Sequence, residues 1–195
     1  MSVTPQQLSE LIRKRRTIKP PQYAQDRAVP RQLIEEILES ARWAPSHGLT
    51  EPWFFKVFYG EGRQKLADFF ADSYRERTPA EAFNEKRAAM LGSVPLLAPC
   101  TIAICMRRRE ERIPEVEEIA AVACGVQNMH LTATAHGLGA FWSSGENTYQ
   151  AATPGFLGLE PGEKCLGFFF VGYPAGDWPN EVARSPIEEK VEWIV

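Results

Sequence analysis

Hydrophobic and polar positions follow two different periods along this chain. Apolar residues at helical spacing predict helices over about 5–16, from residue 31 onwards, over about 62–76 and 79–92, and over about 115–136. Short apolar runs predict four strands, which read "WFFKVFY", "LLAPCTIAICM", "GLGAFWSSG" and "CLGFFFVGYP". Because helices and strands alternate, the pattern indicates an α/β or α+β sandwich. Pro99, inside the second run, predicts an edge or a bulge there.

Two stretches carry the signature of a helix start. Thr4 is placed as the N-cap of the first helix, with Pro5 at its first position and Gln7 completing a capping box. A second capping-box pattern spans Ser185 to Glu188 near the end of the chain.

The first helix ends in a cluster of basic residues whose helical phase divides them. Leu8, Leu11 and Ile12 form an apolar stripe, and the same spacing continues to Arg15, which is therefore predicted to point inwards. Lys14 and Arg13 turn towards water. An unpaired buried charge is costly, so an anion must meet Arg15. The residues alone leave two alternatives open, an internal carboxylate and a bound phosphate.

Length and charge bound the partners of the protein. The 195 residues, 44% of them hydrophobic, predict a single domain over 1–195 that can bury a full core. The net charge is −3, and residues 1–20 hold five basic groups against one acidic group, so the remainder is clearly acidic. Binding of nucleic acid or of an anionic membrane by the whole surface is therefore not expected. A nucleic-acid module that uses only "RKRR" stays as a weaker alternative.

The familiar catalytic and metal-binding signatures are missing from the sequence. The three histidines have no ligand spacing on one helix face, and no phosphate-binding loop or nucleophile elbow is present. The four cysteines form no C-x-x-C pair, which predicts free thiols and no metal site. No apolar leader precedes the first charges and no run is long enough to span a membrane, so we expect a cytoplasmic protein.

Four segments, taken in order, resemble the FMN-dependent nitroreductase family, in particular its small members. They are the basic "IRKRRTIK", the loop "APSHGLTEPWFF", the helix end "ACGVQNMHLTATAHGLG" and the late "FFFVGYP". Each segment is weak evidence alone, whereas four in the family's order cover essentially the whole chain.

The resemblance implies a fold, an activity and an assembly. The implied fold is α+β, a three-layer α-β-α sandwich around a mostly antiparallel sheet, in an intertwined homodimer with FMN at the interface. The implied activity carries two electrons from NADH or NADPH through FMN to a nitroaromatic, a quinone or a related small acceptor, in a ping-pong cycle. In such proteins the C-terminal segment often reaches across to the partner, and helices such as those over 62–92 cover the site. The resemblance itself leaves open a flavin carrier or sensor without turnover.

The resemblance also implies which residues bind the cofactor. Arg15, Arg16 and Thr17 match the positions that hold the FMN phosphate and ribityl chain, and Lys19 lies near the position of a basic residue beside the flavin pyrimidine. His47 and Glu51 match loop positions that contact FMN from the other subunit. The segment of Trp142, Ser143 and Ser144 matches the one that passes along the flavin with a backbone N–H near N5. No protein side chain is implied as catalytic, because hydride chemistry belongs to the flavin.

Glu51 departs from the family pattern, in which glutamine is expected. An ionised carboxylate only accepts hydrogen bonds, and its charge opposes the negative charge of a reduced flavin. Three alternatives follow: Glu51 pairs with Lys19 or an arginine, accepts from a flavin N–H, or lowers the flavin potential. We favour the paired state as a hypothesis.

Overall fold

The computed structural model describes residues 3–108 and 112–195. Within them the helices are α1 (Pro5–Lys14), α2 (Arg31–Ala41), α3 (Gly62–Arg77), α4 (Glu85–Leu97), α5 (Glu115–Ala135) and α6 (Ala152–Leu157). The strands are β1 (Trp53–Tyr59), β2 (Cys100–Met106), β3 (Gly139–Ser143) and β4 (Lys164–Gly172). Short 3-10 turns cover Pro20–Gln22, His47–Leu49, Glu146–Thr148 and Ile187–Lys190.

The four strands form one antiparallel sheet in the order β1-β2-β4-β3. β2 and β4 are central, and every residue of β2 is buried. The segment after α1 extends the sheet beyond β3, where Thr17 forms a parallel bridge with Ala140 and the Ile18 N–H donates to the Ala140 carbonyl at 3.1 Å. The basic end of α1 is therefore held beside β3.

Side chains of the central strands alternate between two cores, one on each face of the sheet. Ile102 of β2 and Phe169 of β4 face α2 and α5, whereas Ala103 and Phe168 face α3, α4 and α6. Period-two alternation on both faces is what a strand buried between two helical layers requires. The predicted three-layer α+β architecture is confirmed.

Most element predictions are confirmed, and the boundary errors have identifiable causes. The Thr4–Gln7 capping box forms, but α1 ends at Lys14 because Arg15 adopts an extended ψ of 126°. α4 starts at Glu85, not near residue 79, because the Asn84 side chain caps it by accepting from the Arg87 N–H. α6 was not predicted. At six residues it is too short for a periodic signal.

Three predictions about local environment are wrong. Pro99 precedes β2 and marks no edge, since β2 is a central strand. The capping box at Ser185 does not form, and the turn there has Pro186 at its N-cap position without a side-chain cap. The stripe of α1 is not buried in this chain, because Leu8 and Ile12 are about half exposed and no residue of α1 is buried.

Candidate functional site

A cluster of arginines surrounds a cavity where α1 ends. The cavity has a volume of about 490 Å³ and is lined by Arg13, Arg15, Arg16 and Arg184, with Gln127 of α5 and Glu181. The one lining carboxylate, Glu181, pairs with Arg13 at 3.5 Å. The cavity therefore carries an excess of positive charge.

The Arg15 guanidinium is the group in this cavity that lacks a partner. It is partly buried and has no hydrogen bond or ion pair with any residue that the structure describes. Burial lowers the pKa of Arg15, and the charges of Arg16 and Arg184 lower it further. No internal carboxylate neutralises Arg15, so the first of the two sequence-based alternatives is not realised within the described chain.

Arg16, unlike Arg15, uses its guanidinium in hydrogen bonds to main-chain carbonyls. Its Nε donates to the Asn180 carbonyl at 2.8 Å, and its Nη1 donates to the carbonyls of Arg13 and Arg15. The Trp178 indole N–H also donates to the Lys14 carbonyl, at 2.8 Å. These bonds satisfy the carbonyls at the end of α1 and attach the C-terminal segment to it.

Arg184 is a candidate binding residue that sequence reasoning missed. It belongs to a C-terminal segment without helix or strand, and its guanidinium lies close enough to Arg15 to depress that pKa. The two arginines are 169 positions apart in the sequence. Neither periodicity nor local spacing connects such residues, so no signal in a single sequence could have paired them.

A second, apolar cavity adjoins β3. It has a volume of about 200 Å³ and is walled by aromatic and aliphatic side chains, which are Phe70, Leu91, Val94, Phe141, Phe168 and Phe170. Ser143 and Glu146 contribute polar atoms to its lining. The Lys19 ammonium lies 5.8 Å from the Phe141 ring centroid, within cation–π range. The bridge between Thr17 and Ala140 thus places Lys19 beside this cavity.

The residues of the segment 142–144 point in different directions. Ser143 lines the apolar cavity and Ser144 is exposed in the turn. The Trp142 ring lies on the other face of the sheet, where it packs against the core under α2 and α5 and its indole N–H donates to the Leu166 carbonyl at 3.0 Å. Any contact of residue 142 with a ligand at the apolar cavity must therefore be made by its backbone.

Glu146 joins the turn after β3 to the ends of α3 and α4. Its carboxylate accepts from Arg77 at 2.5 Å and also from Arg87. The Tyr74 ring lies 5.3 and 5.6 Å from these two guanidiniums. These ion pairs fix α3 and α4 above the apolar cavity. The sequences of the two helices did not predict this contact with Glu146.

His47 and Glu51 lie elsewhere in the chain. His47 is exposed, and its Nδ1 lies 2.5 Å from Glu117 in the first turn of α5. Glu51 has a φ of +45°, which is uncommon for a residue with a side chain, and its N–H donates to the Ser46 hydroxyl. Glu117 and the cavity residue Gln127 are ten positions apart on α5, about 15 Å along its axis. Within one chain, His47 and Glu51 therefore lie away from the arginine-lined cavity.

Buried His130 lies near Arg15 on the inner side of α5. Its pKa falls to about 4, chiefly through burial and additionally through the charge of Arg15. The ring packs edge-on against Phe169 with centroids 4.7 Å apart, and Nδ1 has no hydrogen-bond partner among the described residues. His130 is thus neutral near pH 7 and adds no charge to the arginine cluster.

Residues 3–108 and 112–195 offer neither a metal site nor a membrane-spanning helix. That part of the chain contains no group of three or more His, Cys, Asp or Glu residues that could hold a metal ion. None of its helices combines the length and apolarity needed to cross a membrane.

Comparison with known proteins gives consistent matches over most of the chain. A profile described as the nitroreductase family matches residues 12–173. The Bacillus subtilis protein YfhC, named as a candidate NAD(P)H nitroreductase, is 28% identical over 184 residues, covering 94% of this chain and 92% of that protein.

Solved structures extend this similarity to the fold. A nitroreductase-like family protein from Bacillus cereus superposes with a TM-score of 0.83 at 33% identity, covering 100% of this chain and 99% of that one. A candidate nitroreductase from Desulfovibrio desulfuricans, solved in complex with FMN, gives a TM-score of 0.70 at 29% identity, with 100% and 99% coverage.

Proposed function

The chain belongs to the nitroreductase family, and from this premise we propose a dimeric FMN oxidoreductase that carries two electrons from NAD(P)H to a small organic acceptor in a ping-pong cycle. Residues 1–195 act as one FMN-binding unit. The acceptor class is a nitroaromatic, a quinone or a related compound.

The unpartnered Arg15 guanidinium is the observation that carries this proposal. A phosphate dianion needs charge-assisted donors, and arginine supplies a planar fork that fits phosphate oxygens. Arg15 and Arg184 face one cavity with no free carboxylate among its lining residues. Thr17 follows Arg16 in the chain and offers a hydroxyl. Arg16, whose donors are largely used on main-chain carbonyls, holds the cavity wall and contributes its charge.

The apolar cavity beside β3 suits the ring system of the cofactor. Phe141 and the adjoining aromatic side chains offer flat apolar surface, while Lys19 and the backbone of 142–144 offer a charge and N–H donors. When bound, FMN supplies the hydride and electron chemistry. Lys19 would favour negative charge on a ring system bound beside Phe141, and the α3–α4 pair, held by Glu146, would limit the access of water.

The second half of the proposed site comes from a partner subunit. Glu117, which pairs with His47, lies about 15 Å along α5 from the cavity residue Gln127, so we assign His47 and Glu51 to the cavity of a second copy. Exposed apolar side chains lie on α5 (Val116), on elements in contact with it (Leu8, Ile12 and Leu49), and just after α2 (Trp43). Burial of such a surface in a homodimer provides the driving force for association.

The first test is FMN binding by the Arg15→Gln variant. Loss of charge-assisted bonds to phosphate is worth about 1.5–3 kcal/mol, so the dissociation constant should rise roughly 10- to 150-fold. Titration of apoprotein, followed by flavin fluorescence, measures it. Arg31→Gln is the matched control, because Arg31 is exposed on α2 and pairs only with Glu35. Equal FMN affinity in the wild type and in a folded Arg15→Gln variant contradicts the proposal.

A flavin carrier or sensor without turnover is the alternative function. It would share the phosphate and ring contacts, so binding does not distinguish it. Steady-state oxidation of NADH and of NADPH, with menadione or a nitrofuran as acceptor, does. Acceptor-dependent oxidation with parallel double-reciprocal lines supports the ping-pong enzyme, and FMN binding without oxidation supports the carrier.

A further inference from the structure

Two buried cysteines face each other across the central strands, away from both cavities described above. Cys105 of β2 is the direct partner of Cys165 of β4 in the antiparallel register. Both belong to the core on the α3, α4 and α6 face, so their sulfur atoms lie on the same side of the sheet. The two thiols lie close enough for each to shift the pKa of the other, and the Cys165 thiol donates to the Gly167 carbonyl at 3.7 Å.

This placement needs only a small approach of the two strands to reach the dimensions of a disulfide. Opposed residues of an antiparallel pair have Cβ atoms about 4.5–5.5 Å apart, and a disulfide needs about 3.5–4.5 Å. The register shifts between Ile104 and Cys105, which leaves Leu166 as an extra residue in β4 beside the pair. A bulge loosens the ladder locally, so β4 can approach β2 without breaking the rest of the sheet.

We propose that Cys105 and Cys165 form a reversible intramolecular disulfide when the protein meets a peroxide. The Cys165 thiolate attacks one peroxide oxygen, an S–O bond forms as the O–O bond breaks, and one water leaves. The Cys105 sulfur then attacks the resulting sulfenic acid, the S–S bond forms as the S–O bond breaks, and a second water leaves. The two thiols lose two electrons and two protons, and the peroxide gains them.

The roles of the two sulfurs follow from their surroundings. Cys165 retains a small exposed area, whereas Cys105 is fully buried, so Cys165 meets the oxidant first. The interaction between the two thiols lowers the pKa of Cys165, and the same interaction, together with burial, raises the pKa of Cys105. Cys165, which meets the peroxide first, is thus also the thiol that ionises more readily.

The other two cysteines have no such neighbour. Cys100 stands opposite Tyr59 and Val171, and burial raises its pKa to about 12. Cys124 is exposed on α5, with no cysteine beside it among the described residues. The pair on β2 and β4 is therefore the one expected to cross-link within a chain.

The test uses the full-length FMN-loaded protein with Cys100→Ala and Cys124→Ser, which leaves only the pair. After peroxide treatment, alkylation under denaturing conditions should find no free thiol, and the mass should fall by two hydrogens. Dithiothreitol should restore both thiols. The cross-link should raise the thermal midpoint, since it constrains the unfolded chain.

Controls separate the cross-link from general oxidation. With Cys105→Ser added, Cys165 should stop at the sulfenic acid and be captured by dimedone. The wild-type chain, mapped by protease digestion without reduction, should yield a cross-linked peptide of residues 105 and 165 even if the variants fold poorly. Two alkylatable thiols remaining after peroxide, or a gain of oxygen without a cross-linked peptide, overturns the proposal.

Discussion

At the residue scale, Arg15 lies near His130 of α5, and the positive charge of Arg15 disfavours protonation of His130. Arg15 lowers the pKa of His130, and burial lowers it more strongly. A neutral His130 leaves Arg15 and its neighbouring arginines as the cations of the cavity. In the proposed site, the FMN phosphate would therefore meet arginines and no buried imidazolium.

The depressed pKa of His130 predicts a loss of stability in mild acid. In the unfolded chain this histidine takes up a proton below about pH 6.5, whereas in the folded chain it stays neutral down to about pH 4. The unfolded state binds more protons between these values, so the free energy of unfolding falls as pH decreases through this window, by at most about 3 kcal/mol.

Urea unfolding at pH 7.5, 5.5 and 4.5 measures this effect. His130→Phe keeps a ring against Phe169 and should reduce the fall in stability between these pH values. His136→Gln is the matched control, since His136 is half-buried and pairs with Glu36, and it should leave the His130 contribution intact. Identical pH slopes in the wild type and His130→Phe would argue that His130 is not the responsible group.

Glu51 is the proposed site residue whose charge bears most directly on the potential of bound FMN. Within one chain its carboxylate has no ion pair with a described residue, so the hypothesis of a paired Glu51 requires a cation of the second subunit, such as Lys19. If it is paired, Glu51→Gln should raise the potential of bound FMN by less than about 50 mV, which is about 2 kcal/mol for two electrons. Spectroelectrochemical titration measures it, with exposed Glu61→Gln as control. A much larger rise would show that the charge is not neutralised.

At the scale of elements, the segment between α1 and α2 is fixed to the sheet by Tyr23. Its ring is buried, and its hydroxyl lies within hydrogen-bond distance of the Ile18 carbonyl (2.8 Å) and the Phe170 carbonyl (3.1 Å). The end of β4 must be glycine here, because a Cβ on Gly172 would lie 2.6 Å from the Tyr23 ring. This contact keeps residues 15–19 beside β3.

Gly172→Ala is therefore expected to destabilise the protein. Overpacking against a rigid ring costs about 1–3 kcal/mol, and displacement of Tyr23 should also weaken FMN binding. Chemical unfolding and FMN titration measure the two effects. Gly155→Ala in α6 is the control, because a Cβ there meets nothing within 4 Å. Equal stability of the two variants would contradict this account of β4.

At the scale of the whole molecule, many of the exposed large apolar side chains lie in the C-terminal segment and around α5. The last residues Trp193, Ile194 and Val195 are almost fully exposed, and Ile187 and Val191 are exposed as well. β1 is an edge strand of the sheet. Exposed apolar chain ends and open strand edges favour pairing with another chain. They support the proposed dimer, in which the C-terminal segment reaches across.

Deletion of residues 187–195 should weaken the dimer. Removal of these apolar side chains is expected to raise the dimer dissociation constant and, because the proposed site uses both subunits, to lower FMN affinity with it. Sedimentation velocity over a concentration series measures the first effect. Leu96→Ser removes an exposed apolar residue of α4, away from α5, and should leave the dimer unchanged. Equal sedimentation of the deleted and full-length chains would exclude a role of this segment in assembly.

The sequence by itself determined most of the elements and the basic cluster at the end of α1. Period-two and helical patterns are local, so the strands, the long α5 and the capping box at Thr4 were predictable, and the family followed from four segments in order. The start of α4 and the existence of α6 were not, since a side-chain cap and a six-residue helix leave little periodic trace.

Tertiary structure decided the environment of each site residue. It turned Trp142 into the core and left Ser143 at the cavity, because neighbouring strand residues face opposite sides of the sheet. It brought Arg184 to Arg15 and engaged Arg16 with main-chain carbonyls of a distant segment. Such contacts depend on how elements far apart in the chain pack together, and the spacing of residues along one sequence does not contain that information.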